Sequence, residues 1–374
     1  MTTSPPNTVS DTTATGILEI DLGALLENYR LLSERAAPTE CAAVVKADAY
    51  GHGDREVVQA LLGADCRTFF VSGLREGQNV RQAADAATIY ILDGLIPGKT
   101  EFYLHHDFRP VLGSLEEISE WTKQADAPSA LHVDTGMNRL GLSPGELNQL
   151  DQSPDLKTKL NTTLLMSHFA CADDPENPMN DRQQAAFEIA QKSFPGVPAS
   201  LAASAATLTR PQSRFDMVRA GIALYGGRAV NGMAKPTRPV ATLQGQVLQV
   251  RDNWNEATIG YGAAQSIAHT KRIATIAVGY ADGITRHLSA SDETPGGEVY
   301  CAGQCVPIIG RVSMDLITID ISSLPDEAAK RGDWVEIIGP NIDVDDAADR
   351  AGTIGYELLT QFGTRYLRRY IQPD

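Results

Sequence analysis

A lysine stands at the end of a short apolar run, and two glycines follow it closely. Residues 42–45 include two valines, which is typical of a buried parallel strand. Lys46 ends this run, and glycines at 51 and 53 then break the chain. Because such a lysine is partly desolvated, its charged form is disfavoured and its pKa is lowered. The amine therefore suits Schiff-base or proton-transfer chemistry, and a lysine that only snorkels at a strand end is the structural alternative.

Other polar residues fall near the ends of later predicted strands. They are Tyr50, His132, Asp134, Arg139, His168, Ser204 and Arg219. Taken singly, each has an ordinary structural interpretation, such as a hydrogen-bonded histidine, an ion-paired arginine or a helix-capping serine. In a parallel barrel, however, the active site lies at the carboxyl ends of the strands. The sequence therefore predicts that these side chains converge on one rim.

A phosphate site is predicted next to the last two of these strands. Ser204 opens a predicted helix, so its hydroxyl and the first free N–H groups can bind an anion. Gly221 and Ile222 follow Arg219, and the backbone near Gly221 can approach a ligand closely because glycine lacks a Cβ. Barrels frequently bind phosphate after strands seven and eight, which is where these residues fall.

The pattern of the first two thirds of the chain predicts an α/β fold, a (β/α)8 TIM-type barrel. Residues 18–21 can form a short strand, and Asp21 then caps a helix. The eight predicted barrel strands are 42–46, 67–71, 88–92, 109–112, 129–134, 162–167, 199–203 and 216–224, of which 109–112 and 199–203 are weak. Helices are predicted between them at 54–63, 74–85, 99–106, 115–125, 144–151, 180–193 and 205–210. Short apolar strands with helical crossovers are what a parallel barrel requires.

After residue 236 the pattern changes to period-two alternation rich in β-branched residues. This predicts a mostly antiparallel β domain over 237–374, with two short helices near 344–350 and 353–362. The barrel domain is predicted over 17–236. Residues 1–16 are polar and lack lysine, arginine and an apolar core segment, so we expect a disordered tail rather than a signal peptide.

Composition excludes several classes of protein. The chain has 374 residues, 43% of them hydrophobic, and a formal charge of −15, which argues against nucleic acid as a partner. There is no apolar run long enough to span a membrane. Five cysteines without a C-x-x-C pair fit reduced thiols in a cytoplasmic protein better than disulfides or a zinc site. No metal is expected.

Motifs along nearly the whole chain, from about residue 18 to 370, resemble the alanine racemases. These are V-V-K-A-D-A-Y-G-H-G, V-D-T-G-M-N-R-L-G, S-H-F-A-C-A-D, V-R-A-G-I-A-L-Y-G, I-G-Y-G, A-V-G-Y-A-D-G, G-R-V-S-M-D and I-G-Y-E. Ten consecutive matching residues around Lys46 make a chance match very improbable. The family comprises pyridoxal phosphate (PLP) enzymes of fold type III, with a barrel and a β domain. The resemblance therefore implies a racemase that interconverts L- and D-alanine.

The resemblance also implies roles for individual residues. Lys46 would hold PLP as a Schiff base, Arg219 would face the pyridine nitrogen, and His168 would lie beside Arg219 and Tyr261. The phosphate contacts would be Tyr50, Ser204, Gly221, Ile222 and Tyr356. Arg139 would contact the phenolic oxygen of PLP and, with Met314, the substrate. The entrance would contain Tyr261 and Tyr356 as an inner gate, with Asp173, Tyr280, Arg286, Arg311, Asp315 and Ile354 around it.

In this family the barrel mouth is completed by a second subunit, which implies a head-to-tail homodimer. Tyr261, Tyr280, Met314 and Asp315 would come from the partner. Racemisation needs two acid/base groups that flank Cα, and these would be Lys46 on one face and Tyr261 on the other. Tyr261 could act only if a cation favours its ionised form, such as Arg219 acting through His168. The arginine would also keep the pyridine nitrogen unprotonated, which shortens the lifetime of the carbanion.

One position departs from the family pattern. Many members have a carbamylated lysine where this chain has His132, and that anion orients the arginine equivalent to Arg139. We expect a neutral His132 that accepts a hydrogen bond from Arg139, or a small anion between the two. Activity should then be indifferent to bicarbonate, and His132→Ala should weaken substrate binding more than cofactor binding.

Three alternative functions can be weighed. A non-catalytic PLP carrier would resemble the barrel half but would lack the second domain and its tyrosine. A metal-dependent hydrolase could use His52, His132, His168 and Asp134, but their spacing matches no metal motif. A PLP decarboxylase would show a cysteine signature that this sequence lacks. The sequence leaves open a biosynthetic or a catabolic role, side activity on other amino acids, and dimer affinity.

Overall fold

The computed structural model describes residues 13–124, 126–252 and 257–372. The chain divides into two compact units, one of which is Leu25–Arg238. The other unit contains the described residues before Leu25 and those from Pro239 onward. Of the tail predicted at 1–16, residues 1–12 lie outside the described residues.

The unit Leu25–Arg238 is a parallel eight-stranded barrel, as predicted. Its strands are Glu40–Val44, Thr68–Val71, Thr88–Ile91, Phe108–Leu112, Ser129–His132, Thr162–Met166, Ala199–Ser200 and Met217–Ala220. Neighbours in the chain are neighbours in the sheet, and the first strand pairs with the last. The seventh and eighth strands meet at a parallel bridge between Ala203 and Arg219. The ring of strands is therefore closed.

Helices occupy the crossovers between the barrel strands. They are Asp54–Gly63, Leu74–Ala83, Thr100–His105, Leu115–Gln124, Pro144–Asp151, Pro154–Lys159, Pro178–Gln191 and Ser204–Thr209, and Leu22–Ala36 precedes the first strand. Local sequence determines several starts, since Ser143 forms a capping box with Glu146 and Asn177 caps the next long helix. The helix Pro154–Lys159 was not predicted. Its residues are exposed or half-buried, so no apolar stripe marked it.

The second unit is a mostly antiparallel β structure, also as predicted. Its strands are Gly16–Asp21, Ala241–Asp252, Thr258–Ile259, Gln265–Ser266, Arg272–Ile276, Glu298–Cys301, Gln304–Ile309, Ile317–Asp320, Trp334–Ile338 and Leu367–Ile371. Two helices, Val344–Ala351 and Gly355–Thr360, precede the last strand. All strand pairs are antiparallel except that of Gly16–Asp21 with Leu367–Ile371.

The first strand belongs to this second unit. The range predicted for the barrel began at residue 17, but Gly16–Asp21 pairs with Ala241–Asp252 and Leu367–Ile371. The physical reason is that strand pairing is non-local, and an apolar run does not indicate which sheet it joins. The remaining domain boundaries stay a prediction.

Among the residues described, every helix falls short of the length and apolar character needed to cross a bilayer.

Candidate active site

Five side chains at the carboxyl ends of the barrel strands act on one another electrostatically. The pKa of His168 is lowered to about 3, first by burial and then by Arg219, Arg139, His132 and Lys46. Charges influence a half-buried imidazole in this way only at short range. The predicted convergence of these residues on one rim is therefore seen in the barrel unit.

Lys46 has the electrostatic environment that its sequence position predicted. Burial is the largest cause that lowers its pKa, and Arg139 lowers it further. Glu76 and Asp93 act in the opposite direction. The net effect favours the neutral amine, which is the form that can attack a carbonyl or accept a proton.

The segment after Lys46 has an unusual backbone. Ala47, Asp48, Ala49 and Tyr50 all have positive φ, between 51° and 56°, so they form a left-handed turn. This conformation costs about 1–2 kcal/mol per residue for residues other than glycine. Strained segments of this kind persist where the surroundings hold them, and they cluster at functional sites.

Arg219 is buried and held by the strands around it. Its Nη1 donates to the Ser200 carbonyl at 3.0 Å and to Ser200 Oγ at 2.6 Å, and Nη2 donates to the Ser167 carbonyl at 2.7 Å. Burial lowers its pKa to about 10, which leaves it protonated at neutral pH. Its hydrogen bonds to described residues use only Nη1 and Nη2. Nε is therefore the nitrogen that can face a ligand.

His168 contacts the same guanidinium. Arg219 Nη2 lies 3.2 Å from His168 Nδ1, as the resemblance implied for this pair. Because a guanidinium only donates, Nδ1 must be the acceptor, and the low pKa keeps the ring neutral. The proton of His168 is therefore on Nε2.

His132 and Arg139 do not form the expected hydrogen bond. No such bond links them in the described structure, and the exposed Arg139 makes no hydrogen bond or ion pair with any described residue. The reason is local, because Asp134 accepts the N–H groups of Gly136 and Met137 at 2.9 Å each and closes a tight turn. Arg139 follows this turn on its exposed side. The expectation of a neutral His132 agrees with its pKa of about 4, which is lowered first by burial and then by Arg219.

The two half-buried histidines, His132 and His168, predict a defined pH dependence of stability. Their folded pKa values, about 4 and about 3, lie below the unfolded value of about 6.5. The unfolded chain therefore binds protons first as pH falls. We expect the contribution of these two histidines to stability to be constant above pH ~6.5 and to decrease between pH ~6.5 and ~4, with a slope of about 1.4 kcal/mol per pH unit for each proton. Urea unfolding between pH 7.5 and 5 measures this slope.

His132→Asn is the variant that assigns part of this slope. It keeps a polar side chain but cannot titrate. The slope of the free energy of unfolding against pH should therefore decrease by up to the amount that one proton contributes, about 1.4 kcal/mol per pH unit. A slope equal to that of the wild type would show that His132 is already protonated in the folded chain or does not contribute.

Tyr50, Ser204 and Gly221 meet next to Arg219. Ser204 Oγ accepts the N–H of Gly221 at 2.9 Å, and a Cβ at Gly221 would lie 2.9 Å from the phenol oxygen of Tyr50. Glycine is therefore required for this close approach. The N–H of the buried Ile222 makes no hydrogen bond to any described residue. The Tyr50 hydroxyl and the Ile222 N–H are of the kind that a phosphate accepts from, and the phosphate site stays a prediction.

The entrance residues predicted in the β unit fall into two groups. Tyr261 begins a 3-10 turn after Gly260, and a Cβ at Gly262 would lie 3.0 Å from Nη1 of Arg311. Tyr280 donates its N–H to the Ser313 carbonyl at 3.0 Å, next to Met314. Asp315 accepts a hydrogen bond from Arg365 at 2.8 Å. Arg311 thus lies against the glycines that flank Tyr261, and the segment of Tyr280 pairs with the segment that carries Met314 and Asp315.

The other predicted entrance residues lie on separate segments of the chain. Arg286 is exposed in the turn Arg286–Leu288, and Ile354 and Tyr356 lie at the start of the helix Gly355–Thr360. Asp173 is in the barrel unit, where its carbonyl and carboxylate both accept hydrogen bonds from Asn231 at 2.8 Å. The roles of the predicted site residues stay predictions.

Sequence reasoning missed two residues that support the site. Tyr225 stacks on Tyr50 with ring centroids 4.7 Å apart and donates to the Val44 carbonyl at 2.9 Å. Ser200 holds Arg219 through both its carbonyl and its hydroxyl. A tyrosine in an otherwise apolar run, A-L-Y-G, was the only signal for the first, and a two-residue strand gave none for the second.

The barrel can hold a cofactor that carries both a carbonyl group and a phosphate. It offers a strand-end lysine with a lowered pKa, a buried arginine, and a cluster of hydroxyl and N–H groups. Two family descriptions match the chain, the alanine racemase N-terminal domain over residues 20–229 and its C-terminal domain over 240–370. The chain belongs to the alanine racemase family.

Individual relatives cover almost the whole chain. The alanine racemase of Rhizobium meliloti is 43% identical over 96% of this chain and 97% of its own length. The alanine racemase of Methylobacterium sp. is 46% identical over 95% of this chain and 97% of its own length. A crystal structure of the Bartonella henselae alanine racemase with covalently bound PLP superposes with a TM-score of 0.90 at 37% identity, over 96% of this chain and all of that one. The structure of the biosynthetic alanine racemase of Pseudomonas aeruginosa superposes with a TM-score of 0.88 at 34% identity, over 96% of this chain and all of that one.

Proposed function

We propose that this protein is a PLP-dependent racemase that interconverts L-alanine and D-alanine. Family membership and the coverage of its relatives support the reaction. The observation that carries the proposal is Lys46, which directly precedes the left-handed turn and whose pKa is lowered by burial and then by Arg139. An amine in that state suits both the attachment of PLP and proton transfer at Cα.

The residues present fit PLP. Lys46 would hold its carbonyl carbon, and Tyr50, Ser204, Gly221 and Ile222 would hold its phosphate, with Tyr356 as a further contact. Arg219 would place Nε at the pyridine nitrogen, where a guanidinium can only donate. When bound, PLP supplies an electron-withdrawing ring that makes the Cα–H of the attached amino acid acidic.

Two side chains would move the proton. The Lys46 amine accepts a proton on one face of Cα, and Tyr261 holds a proton on the other face, so the configuration inverts. His168 carries its proton on Nε2 because Nδ1 accepts from Arg219, so in the proposed dimer Nε2–H would donate to the phenol oxygen of Tyr261. Arg139 and Met314 would orient the substrate.

We infer a head-to-tail homodimer in which the β unit of one chain completes the barrel of the other. Its support is the exposure of large side chains in the β unit, with Tyr261 70%, Ile354 61% and Met314 53% exposed in the single chain. Large apolar side chains left open in this way are typical of surfaces that a partner covers.

Complementation between two inactive variants tests the dimer. A Lys46→Ala protein and a Tyr261→Phe protein each lack one acid/base group at every site. After subunit exchange, a mixed dimer would contain one site with both groups, so about half of the wild-type activity per mixed dimer should return. Exchange is confirmed by native mass spectrometry, and confirmed mixed dimers without activity would mean that each site is built within one chain.

The entrance predicts the substrate range. Tyr261 and Tyr356 would form an inner gate that leaves little room beyond a methyl group, with Asp173, Arg286, Arg311 and Ile354 outside it. We expect kcat/KM for alanine to exceed that for lysine by about 100-fold or more, with serine between them. Chiral chromatography of L-alanine, L-serine and L-lysine reactions measures this, and comparable values for lysine and alanine would contradict the gate.

The same assay tests the function itself. Purified protein with PLP should convert L-alanine to an equal mixture of enantiomers. Protein that binds PLP covalently but leaves L-alanine unchanged would be a carrier and not a racemase.

We propose a biosynthetic role in the cytoplasm, with D-alanine supplied for peptidoglycan. Two similar proteins, from Agrobacterium fabrum and Pseudomonas aeruginosa, are called biosynthetic alanine racemases, which supports this direction. All five cysteines are free thiols, which supports a reducing compartment.

A further inference from the structure

The carboxylate of Glu76 joins the ends of two neighbouring barrel strands. Glu76 lies in the first turn of the helix Leu74–Ala83. Its Oε1 accepts the N–H of Ala47 at 2.8 Å, and its Oε2 accepts the N–H of Ser72 at 2.7 Å. Ala47 directly follows Lys46, and Ser72 directly follows the strand Thr68–Val71. One carboxylate therefore fixes the segment that carries Lys46 to the adjacent strand end.

Ala47 is also the first residue of the left-handed turn. The turn has other internal contacts, since the Asp48 carbonyl accepts the N–H of Gly53 at 2.9 Å and Asp48 Oδ1 accepts that of Asp54 at 2.9 Å. Both of these act at the far end of the turn. The bond from Glu76 acts directly after Lys46, where the strained backbone begins, and the Val45 carbonyl also accepts the N–H of Ala49 at 3.0 Å across the lysine.

The same arrangement occurs a second time in the barrel, away from Lys46. Glu117 lies in the first turn of the helix Leu115–Gln124. Its Oε2 accepts the N–H of Gly113 four residues earlier at 2.6 Å, and its Oε1 accepts the N–H of Leu95, after the preceding strand, at 2.9 Å. A carboxylate that joins two strand ends is thus a building device of this barrel, and only the copy at Glu76 acts on the lysine segment.

We propose that Glu76 is a positioning residue for Lys46, which it serves by holding the backbone of Ala47 in the left-handed turn and so directing the lysine amine into the site. This inference rests on the proposed function, because it takes Lys46 as the residue that binds PLP. Glu76 acts through the backbone and not on the reacting atoms. Its negative charge also counteracts the lowering of the Lys46 pKa by burial and Arg139.

Three variants of the full-length protein separate this role from general stability. Glu76→Gln can accept only one N–H, and its own NH2 group faces the other. Glu76→Asp keeps the charge but is too short to reach both N–H groups. Glu117→Gln is the matched control, since it too replaces a carboxylate that accepts two N–H groups, at a place in the barrel away from Lys46. Glu76→Gln and Glu117→Gln should therefore lower the urea midpoint by similar amounts.

Only the changes at position 76 should affect the lysine segment. A hydrogen bond to a charged group contributes about 1.5–3 kcal/mol, so amide exchange over residues 46–51 of the PLP-free protein should rise about 10-fold or more in Glu76→Gln. The dissociation constant for PLP should rise by about the same factor. In Glu117→Gln both quantities should stay within about 2-fold of wild type. Competitive labelling should give a lower pKa for Lys46 in Glu76→Gln than in Glu76→Asp.

Equal amide exchange and equal PLP affinity in Glu76→Gln and wild type would overturn the proposal. Equal effects of Glu76→Gln and Glu117→Gln would overturn it too, because they would show a purely structural role. If the wild type itself did not bind PLP, the proposed function would fail, while the exchange measurement on PLP-free protein would still test the contact of Glu76 with Ala47.

Discussion

Replacing Lys46 with alanine is expected to remove the covalent attachment of PLP and to lower racemisation by about 10³-fold or more. The amine has two proposed tasks, holding the cofactor and moving the proton on one face of Cα, and alanine can do neither. Borohydride reduction of wild-type holoenzyme followed by peptide mapping should place the phosphopyridoxyl mass on Lys46. The same treatment of Lys46→Ala should leave no labelled peptide.

Lys99→Ala is the matched control for this prediction. Lys99 is exposed at the start of a barrel helix and makes no side-chain hydrogen bond or ion pair with a described residue. Its removal should change neither labelling nor rate. A phosphopyridoxyl label on any lysine other than Lys46 in the wild type would overturn the assignment, whatever the activity of the variants.

The barrel was predictable because its signals are local. Buried parallel strands form continuous apolar runs, so all eight were found, including the weak ones that the structure places at Phe108–Leu112 and Ala199–Ser200. The change to period-two alternation marked the start of the β domain. Pairing partners depend on residues far apart in sequence, which is why the parallel pair of Gly16–Asp21 with Leu367–Ile371 was not predicted.

The site was predictable only in part. The contact of Arg219 with His168 and that of Ser204 with Gly221 agree with the resemblance. The left-handed turn was not foreseen, because Ala47, Asp48 and Ala49 are not residues that favour positive φ as glycine does. Side-chain to backbone contacts over long separations, such as Glu76 to Ala47, have no periodic signal. No hydrogen bond joins His132 and Arg139 in the described structure, where Arg139 follows the Asp134 turn, and the alternative of a small anion between them stays a prediction.

Replacing Tyr261 with phenylalanine is expected to lower racemisation by about 10²-fold or more while PLP binding survives. The change removes only the phenol oxygen, which in our proposal holds the proton on the face opposite Lys46. The visible absorbance of the lysine-linked cofactor should therefore match that of the wild type. Chiral chromatography measures the rate in both directions.

Hydrogen exchange in D2O makes this prediction specific to one face. Lys46 remains in Tyr261→Phe, so exchange at Cα should survive for one enantiomer of alanine and fall about 10²-fold or more for the other. Tyr300→Phe is the matched control, because it removes a phenol oxygen from the same unit that makes no hydrogen bond to a described residue. Equal loss of exchange for both enantiomers would contradict a base on one face, since only a group that serves a single side of Cα can make the two enantiomers differ.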